Sequence, residues 1–400
     1  MKTRQDVFDW LSGQLRFGIK PGLERMNWMI EQLGLEERPS IHVAGTNGKG
    51  STVAFLRAMA MENGLSVGTF TSPYIIQFEE RIMLNGEPIP EDALIDVANR
   101  VKARADEAPE TLTEFELLTM MAWCYFDDTR PDLIIWEVGL GGRLDSTNVL
   151  THPLATIVTS IGHDHQGILG DTLEEIAQEK YGIVKRDVPM FHSIGEERLV
   201  ELLHQKGDDV GSSIHDVRPL VKKIVDGADT VVTYENMPSV VLGLTGHHQA
   251  YNGACAVAVA RHLGWRDDAI QKGLERAQHP GRYELVSKRP RIILDGAHNP
   301  EGIEAMVLQA KYETDVTLLT AILEDKDRDK MIHALQEIGD VYETTFDFPR
   351  ARTKAQLEKN GARFVEWKAW LQNWVESPTT ETLIVTGSLY FISEVRRFLS

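Results

Sequence analysis

Residues 41–59, IHVAGTNGKGSTVAFLRAM, carry the groups of phosphate chemistry in the order that chemistry uses them. An apolar strand runs into Gly45, Thr46, Asn47, Gly48, Lys49, Gly50, Ser51 and Thr52, and a helical pattern follows until Gly64. Glycine lets backbone N–H groups come close to phosphate oxygens. The helix start adds partial positive charge, Lys49 adds a full one, and the Ser51 hydroxyl is placed to ligate Mg2+. The standard spacing is not kept. With Gly48-Lys49 as the glycine–lysine pair, Val43 stands at the first glycine position and Gly50 delays the hydroxyl by one residue. A plain glycine turn is the competing reading, and the coincidence of strand, lysine, hydroxyl and helix argues against it.

Three further places carry reactive side chains. Glu137 interrupts an apolar strand, LIIWEVGLGG, and a carboxylate there needs a partner. Mg2+ at the carboxyl end of a parallel strand is one partner, and a salt bridge to Arg143 is the other. The next strand, ATIVTSIG, ends in His163-Asp164-His165; histidine is an unusual Mg2+ ligand, so spacing alone reads this as a hydrogen-bonded loop. After Asp171, Thr172 and Glu175 form a capping-box pattern, and Leu173, Ile176, Ala177 and Lys180 share one helix face. An inward lysine snorkels outward, pairs with an acid, or has a lowered pKa and is chemically modified.

The elements that must position these groups read as an α/β chain. Strand-like runs at 41–44, 67–71, 133–138 and 155–160 alternate with helical patterns such as 52–63 and 113–126. Apolar strands between helices predict a parallel sheet covered on both faces. Residues 215–245 read as short strands, a small antiparallel addition. A second, smaller α/β unit has strands at 292–294, 316–322, 341–346 and 383–386. The expected division is an ATP-binding domain over 1–284, a polar linker over 285–290 closed by Pro290, and a C-terminal domain over 291–400.

A chain of 400 residues exceeds one ordinary core, which agrees with two domains. Its net charge of −18 disfavours nucleic acid and anionic membranes, so attraction for an anionic substrate must be local. Cys124 and Cys255 lie in apolar helical stretches and read as buried free thiols in a reducing compartment. The N-terminus, MKTRQDVFDW, lacks the apolar core of a signal peptide, and no apolar run approaches the ~18 residues of a membrane span. The expectation is a cytoplasmic monomer.

The sequence resembles the folylpolyglutamate synthase and dihydrofolate synthase family of the Mur ligase superfamily. The resemblance rests on FGIKPGLERM (17–26), HVAGTNGKGST (42–52), TSPYIIQFEERI (71–82), TEFE (113–116), EVGLGGRLDSTN (137–148), SIGHDHQGILGDTLEEIAQEKYGI (160–183), GHHQAYN (246–252), HPGR (279–282), DGAHNP (295–300), EDKD (324–327) and TGSLYFISEVR (386–396). It implies an N-terminal P-loop domain of Mur-ligase type and a Rossmann-like C-terminal domain.

The resemblance also implies roles. Ser51, Ser72, Glu137 and His165 resemble Mg2+ ligands, and Lys180 matches a lysine that the family carries as a carbamate. Residues 46–52, Asn252, Arg282 and Asp295 match ATP-contacting positions. The loop 72–82, with Ser72, Phe78 and Arg81, resembles the mobile folate-side loop. His298 and Ser388 match positions assigned to glutamate. This sequence departs from the family at Tyr74, where many members have histidine, and at Tyr181, Gly253 and His279. None of these removes a group that the chemistry needs, and Tyr74 bears on pterin preference.

The implied reaction is phosphoryl transfer from ATP to a substrate carboxylate, then attack of the glutamate amine on the acyl phosphate. Lys49 and Mg2+ would neutralise charge on the transferring group. Domain closure would keep water out, and His298 would help with the amine proton. The acceptors are dihydropteroate, folylpolyglutamates, or both. Two other readings stay open: a cell-wall Mur ligase, for which the first 45 residues leave no UDP-binding domain, and a nucleotide-binding scaffold that has lost the chemistry.

Overall fold

The structure is a computed structural model and describes residues 1–14, 22–377 and 379–399. Residues 17–21 of the FGIKPGLERM run lie outside the described residues. The chain divides into two compact units, Met1–Leu220 with Tyr251–Leu274, and Val221–Ala250 with Glu275–Ser400.

The first unit is built on eight strands: β1 (Ser40–Ala44), β2 (Val67–Phe70), β3 (Ile82–Leu84), β4 (Glu87–Pro88), β5 (Leu133–Glu137), β6 (Ala155–Val158), β7 (Met190–His192) and β8 (Ile214–Asp216). Their order is β4-β3-β2-β5-β1-β6-β7-β8. The six from β2 to β8 in that order are parallel, and β3 and β4 add an antiparallel edge. β1, β2, β5 and β6 are buried at every residue, which is why they read as unbroken apolar runs rather than alternating ones.

Two capping boxes fix the helices beside this sheet. Thr113 and Glu116 cap Glu114–Thr129, and Thr172 and Glu175 cap Leu173–Tyr181, each with reciprocal side-chain-to-backbone bonds. On one face Phe70, Leu118, Met121, Phe126 and Trp136 form the core; on the other, Ala44, Val158, Ala177, Ile183 and Leu203 do. Burying each large apolar side chain contributes on the order of 1.5–3 kcal/mol.

The second unit holds the three-stranded antiparallel sheet β9 (Val221–Val225), β10 (Val231–Tyr234) and β11 (Ser239–Val241), in the region read as a small antiparallel addition. It also holds a five-stranded sheet of β12 (Glu284–Lys288), β13 (Arg291–Leu294), β14 (Val316–Thr320), β15 (Gly339–Glu343) and β16 (Thr382–Thr386), ordered β12-β13-β16-β14-β15. Four of these strands are parallel, and β12 runs antiparallel to β13. The polar stretch read as a linker is therefore an edge strand. Its backbone pairs with β13 while only one side is covered, so its composition stays polar. Ile303, Met306, Leu318, Met331, Leu335 and Ile384 form the core of this unit. Among the described residues, no helix is long and apolar enough to cross a membrane.

Candidate active site

The register of the first sheet brings the reactive groups together. Val43 on β1 stands beside Glu137 on β5, Ala44 beside Val158 on β6, and Phe70 on β2 beside Trp136. The loops that leave β1, β2, β5 and β6 therefore emerge next to one another at the carboxyl ends, where parallel sheets bind ligands.

The phosphate loop opens with Gly45 and Gly48, at φ +147° and +90°. A Cβ on Gly45 would sit 1.9 Å from Thr159 Oγ1, and one on Gly48 would sit 2.2 Å from Asn252 Oδ1. Both positions thus require glycine for conformation and for space. The loop is clamped by the residues after β6. Thr46 N donates to Ser160 O (2.7 Å) and Asn47 N to Ser160 Oγ (3.0 Å), while Thr159 Oγ1 donates to Asn47 O (2.6 Å). The Thr46 hydroxyl bonds to the backbone of Gly162. The helix Lys49–Glu62 begins directly after, burying Gly50, Ser51 and Thr52.

Two amines meet at one carbonyl. Lys49 Nζ donates to Gly45 O (3.0 Å) and to Thr46 O (3.2 Å), and Lys180 Nζ donates to the same Gly45 O (3.2 Å). Lys180 is only 5% exposed. Burial first, and the Lys49 charge second, bring its pKa down to about 7, against the opposing pull of Asp164 and Asp145. Of the three fates open to an inward lysine, the structure gives burial with a lowered pKa. The Lys49 cation beside a glycine loop suits a polyanion.

Glu137 is 4% exposed and accepts a hydrogen bond from Ser72 N (3.2 Å). Arg143, the alternative partner, instead pairs with Glu179 (2.7 Å). Beyond Ser72, the loop to Arg81 is an aromatic and cationic row. The Arg81 guanidinium lies 5.4 Å from the Tyr74 ring centre and 5.7 Å from that of Phe78. His165 takes φ +53° before the single turn Gln166–Leu169, with Nε2 3.8 Å from Asp164 Oδ2.

Among the described residues no three His, Cys, Asp or Glu side chains form a metal cluster. The donors present here are hydroxyls and one buried carboxylate, and Thr52 Oγ1 is buried without a partner. That set fits Mg2+, which takes few protein oxygens and keeps its remaining positions for water and phosphate.

The second unit gathers its own polar set at its strand ends. Asp295, after β13, accepts from Tyr283 N (2.8 Å) and Ala297 N (2.9 Å). Burial raises its pKa, and the neighbouring Arg282 charge opposes that. His298 Nδ1 lies 2.9 Å from Gly296 O, and Ser388 Oγ is buried and unpartnered after β16. Thr159, Ser160 and Gly162, which hold the phosphate loop, were given no role by the sequence reading, although Ser160 and Gly162 lie in the quoted run SIGHDHQGI.

The comparisons agree with this geometry. Residues 43–260 match the Mur ligase middle domain, and residues 281–388 the Mur ligase glutamate ligase domain. A Bacillus subtilis protein described as a dihydrofolate synthase/folylpolyglutamate synthase is 38% identical, covering 99% of each chain. Escherichia coli FolC, solved in complex with DHPP and ADP, is 30% identical with TM-score 0.87, covering 98% of this chain and 97% of that one. An FPGS–AMPPCP–folate complex is 31% identical with TM-score 0.87 and covers 99% of each chain. With both Mur ligase domains in order and relatives similar along their whole length, the chain belongs to the folylpolyglutamate synthase and dihydrofolate synthase family of Mur ligases.

Proposed function

We propose that this chain is an ATP-dependent acid–amino-acid ligase that adds L-glutamate to dihydropteroate and to folylpolyglutamates through an acyl phosphate. The observation that carries the reading is the convergence of Lys49 and the buried Lys180 on Gly45 O, inside a glycine loop at the carboxyl end of β1. ADP, AMPPCP and folate are the ligands named for the solved relatives, and they support ATP and a folate as substrates here.

The phosphate loop, residues 46–52, holds the ATP phosphates through backbone N–H groups and the Lys49 ammonium. Asn252, whose side chain lies close against Gly48, serves the nucleotide with Arg282 and Asp295. Ser51, Ser72, Glu137 and His165 would hold Mg2+, which supplies charge neutralisation at the phosphates. The lowered pKa of Lys180 leaves much of the amine unprotonated near neutral pH, the form that takes up CO2 as a carbamate. The row of Tyr74, Phe78 and Arg81 offers a stacking surface and a cation to an aromatic, anionic acceptor. His298 and the unpartnered Ser388 hydroxyl serve the incoming glutamate. The free, buried Cys124 and Cys255 suit the reducing cytoplasm.

The test is ADP release with Mg2+, ATP and glutamate, comparing dihydropteroate with tetrahydrofolate, each product identified by mass. Turnover with both acceptors is expected. Turnover with tetrahydrofolate alone would make the protein a folylpolyglutamate synthase only. Failure with both, in folded protein that binds ATP, would overturn the substrate assignment.

A further inference from the structure

Behind the site, four consecutive buried side chains each fasten a different element, and three of those elements lead into site groups. Asp145 Oδ2 accepts from Gly139 N (3.1 Å) and Leu140 N (2.9 Å), the turn that follows Glu137. Ser146 Oγ lies 2.9 Å from Thr119 Oγ1, and Thr119 gives its own proton to Phe115 O, so Ser146 is the donor to the helix Glu114–Thr129. Asn148 Nδ2 donates to Arg143 O (3.0 Å) and Gly182 O (3.1 Å), where the helix bearing Lys180 ends.

Thr147 is the centre of this set, and its bonds take one direction when Asp145 is ionised. Asp145 Oδ1 accepts from both Thr147 N (3.0 Å) and Thr147 Oγ1 (2.5 Å). The backbone N–H groups of Gly139, Leu140 and Thr147 all donate to this carboxylate; burial raises its pKa and these bonds oppose that, and we take the anion as its resting form. The single Thr147 hydroxyl proton is therefore spent on Asp145. His42 Nε2, 2.8 Å from Thr147 Oγ1, must be the donor to that oxygen. This makes His42 the neutral Nε2–H tautomer, and the absence of any partner at Nδ1 agrees with it. His42 lies on β1, three residues before Gly45.

We propose that the His42–Thr147–Asp145 chain, with Ser146 and Asn148, is a positioning relay that sets the phosphate loop, the turn after Glu137 and the Lys180 helix relative to one another. The relay rests on the reading of this site as the MgATP site of a ligase. His42 and Thr147 act through the groups they hold. Their chemistry is matched to that work: a hydroxyl donates once and accepts once, and a neutral imidazole donates without adding charge in a buried place near Lys185.

The test uses full-length protein. Thr147→Val keeps the shape and removes the hydroxyl, leaving His42 Nε2–H unmet; Thr147→Ser keeps the relay. Calorimetric MgATP affinity should fall about tenfold in Thr147→Val and recover in Thr147→Ser. Nitrogen-15 NMR of the apoprotein should show His42 as the Nε2–H tautomer with a slowly exchanging proton, lost in Thr147→Val. Ile303→Val, a core change in the other unit, controls for stability and should leave affinity unchanged. If Thr147→Val does not fold, His42→Phe cuts only the tie to β1 and should still weaken MgATP about threefold. Lowered stability with unchanged MgATP affinity would overturn the relay, as would an Nδ1–H tautomer. Failure of the unsubstituted protein to bind MgATP would instead sink the ligase reading, and the relay with it.

Discussion

Lys180→Met should make the protein more stable near neutral pH while ending ligation. The Lys180 amine is buried, bonded to one carbonyl and close to the Lys49 charge, and its pKa falls from 10.5 to about 7. At roughly 1.4 kcal/mol for each tenfold change in proton affinity, that fall corresponds to about 5 kcal/mol against the folded state at low pH. Because the folded pKa is depressed, the unfolded chain binds more protons between about pH 7 and 10.5. The stability of the unsubstituted protein is therefore fullest above pH 10.5 and is lost as pH falls toward 7, below which the penalty is constant. Methionine has similar length and no charge, and it gives up one hydrogen bond worth ~1 kcal/mol. The variant should gain roughly 2–4 kcal/mol at pH 7, and the gain should shrink as pH approaches 10. Urea unfolding of both proteins at pH 7, 8, 9 and 10, in metal-free buffer depleted of CO2, measures the difference curve. A flat difference across that range, or a less stable variant at pH 7, would refute the reasoning.

Lys49→Ala should cut ADP release at least ~100-fold, because it removes a positioned cation from the transferring phosphoryl group; a variant with normal turnover would remove the phosphate-loop assignment. Gly48→Ala places a Cβ 2.2 Å from Asn252 Oδ1 at φ +90°, so ATP affinity by calorimetry should fall about tenfold or more, with ~1–2 kcal/mol of backbone strain. Glu137→Gln keeps an acceptor for Ser72 N but loses the charge, and the Mg2+ concentration giving half-maximal ADP release should rise severalfold; an unchanged midpoint would exclude Glu137 from the metal site. His192 is fully buried, and burial lowers its pKa to about 4, so the unfolded chain takes up its proton first as pH falls from 6.5. Stability should drop by on the order of 3 kcal/mol between pH 6.5 and 4 from this group, and His192→Gln should flatten that slope in urea titrations.

Much of the scaffold was legible because its signals are local. A strand buried on both faces is a continuous apolar run, so β1, β2, β5 and β6 showed in the sequence to within a few residues. The Thr172–Glu175 box spans three residues and needs no tertiary knowledge. The strands β3, β4, β7, β8 and β12 were not read as such, because short or one-sided strands lack a run long enough to show periodicity.

The site divides along the same line. The phosphate loop is one contiguous segment, so sequence alone determined its glycines, its lysine and the helix that follows, and the helical period alone turned Lys180 inward. Side chains that act from a distance had no such signal. That Lys180 shares a carbonyl with Lys49, that Thr159 and Ser160 clamp the loop, and that Asp145 answers to His42 were decided only by the tertiary structure. The parallel sheet brings together residues about a hundred positions apart, and pKa values and hydrogen-bond directions follow from that convergence. Composition and period determine which way a residue faces. Only the folded register determines what it meets there.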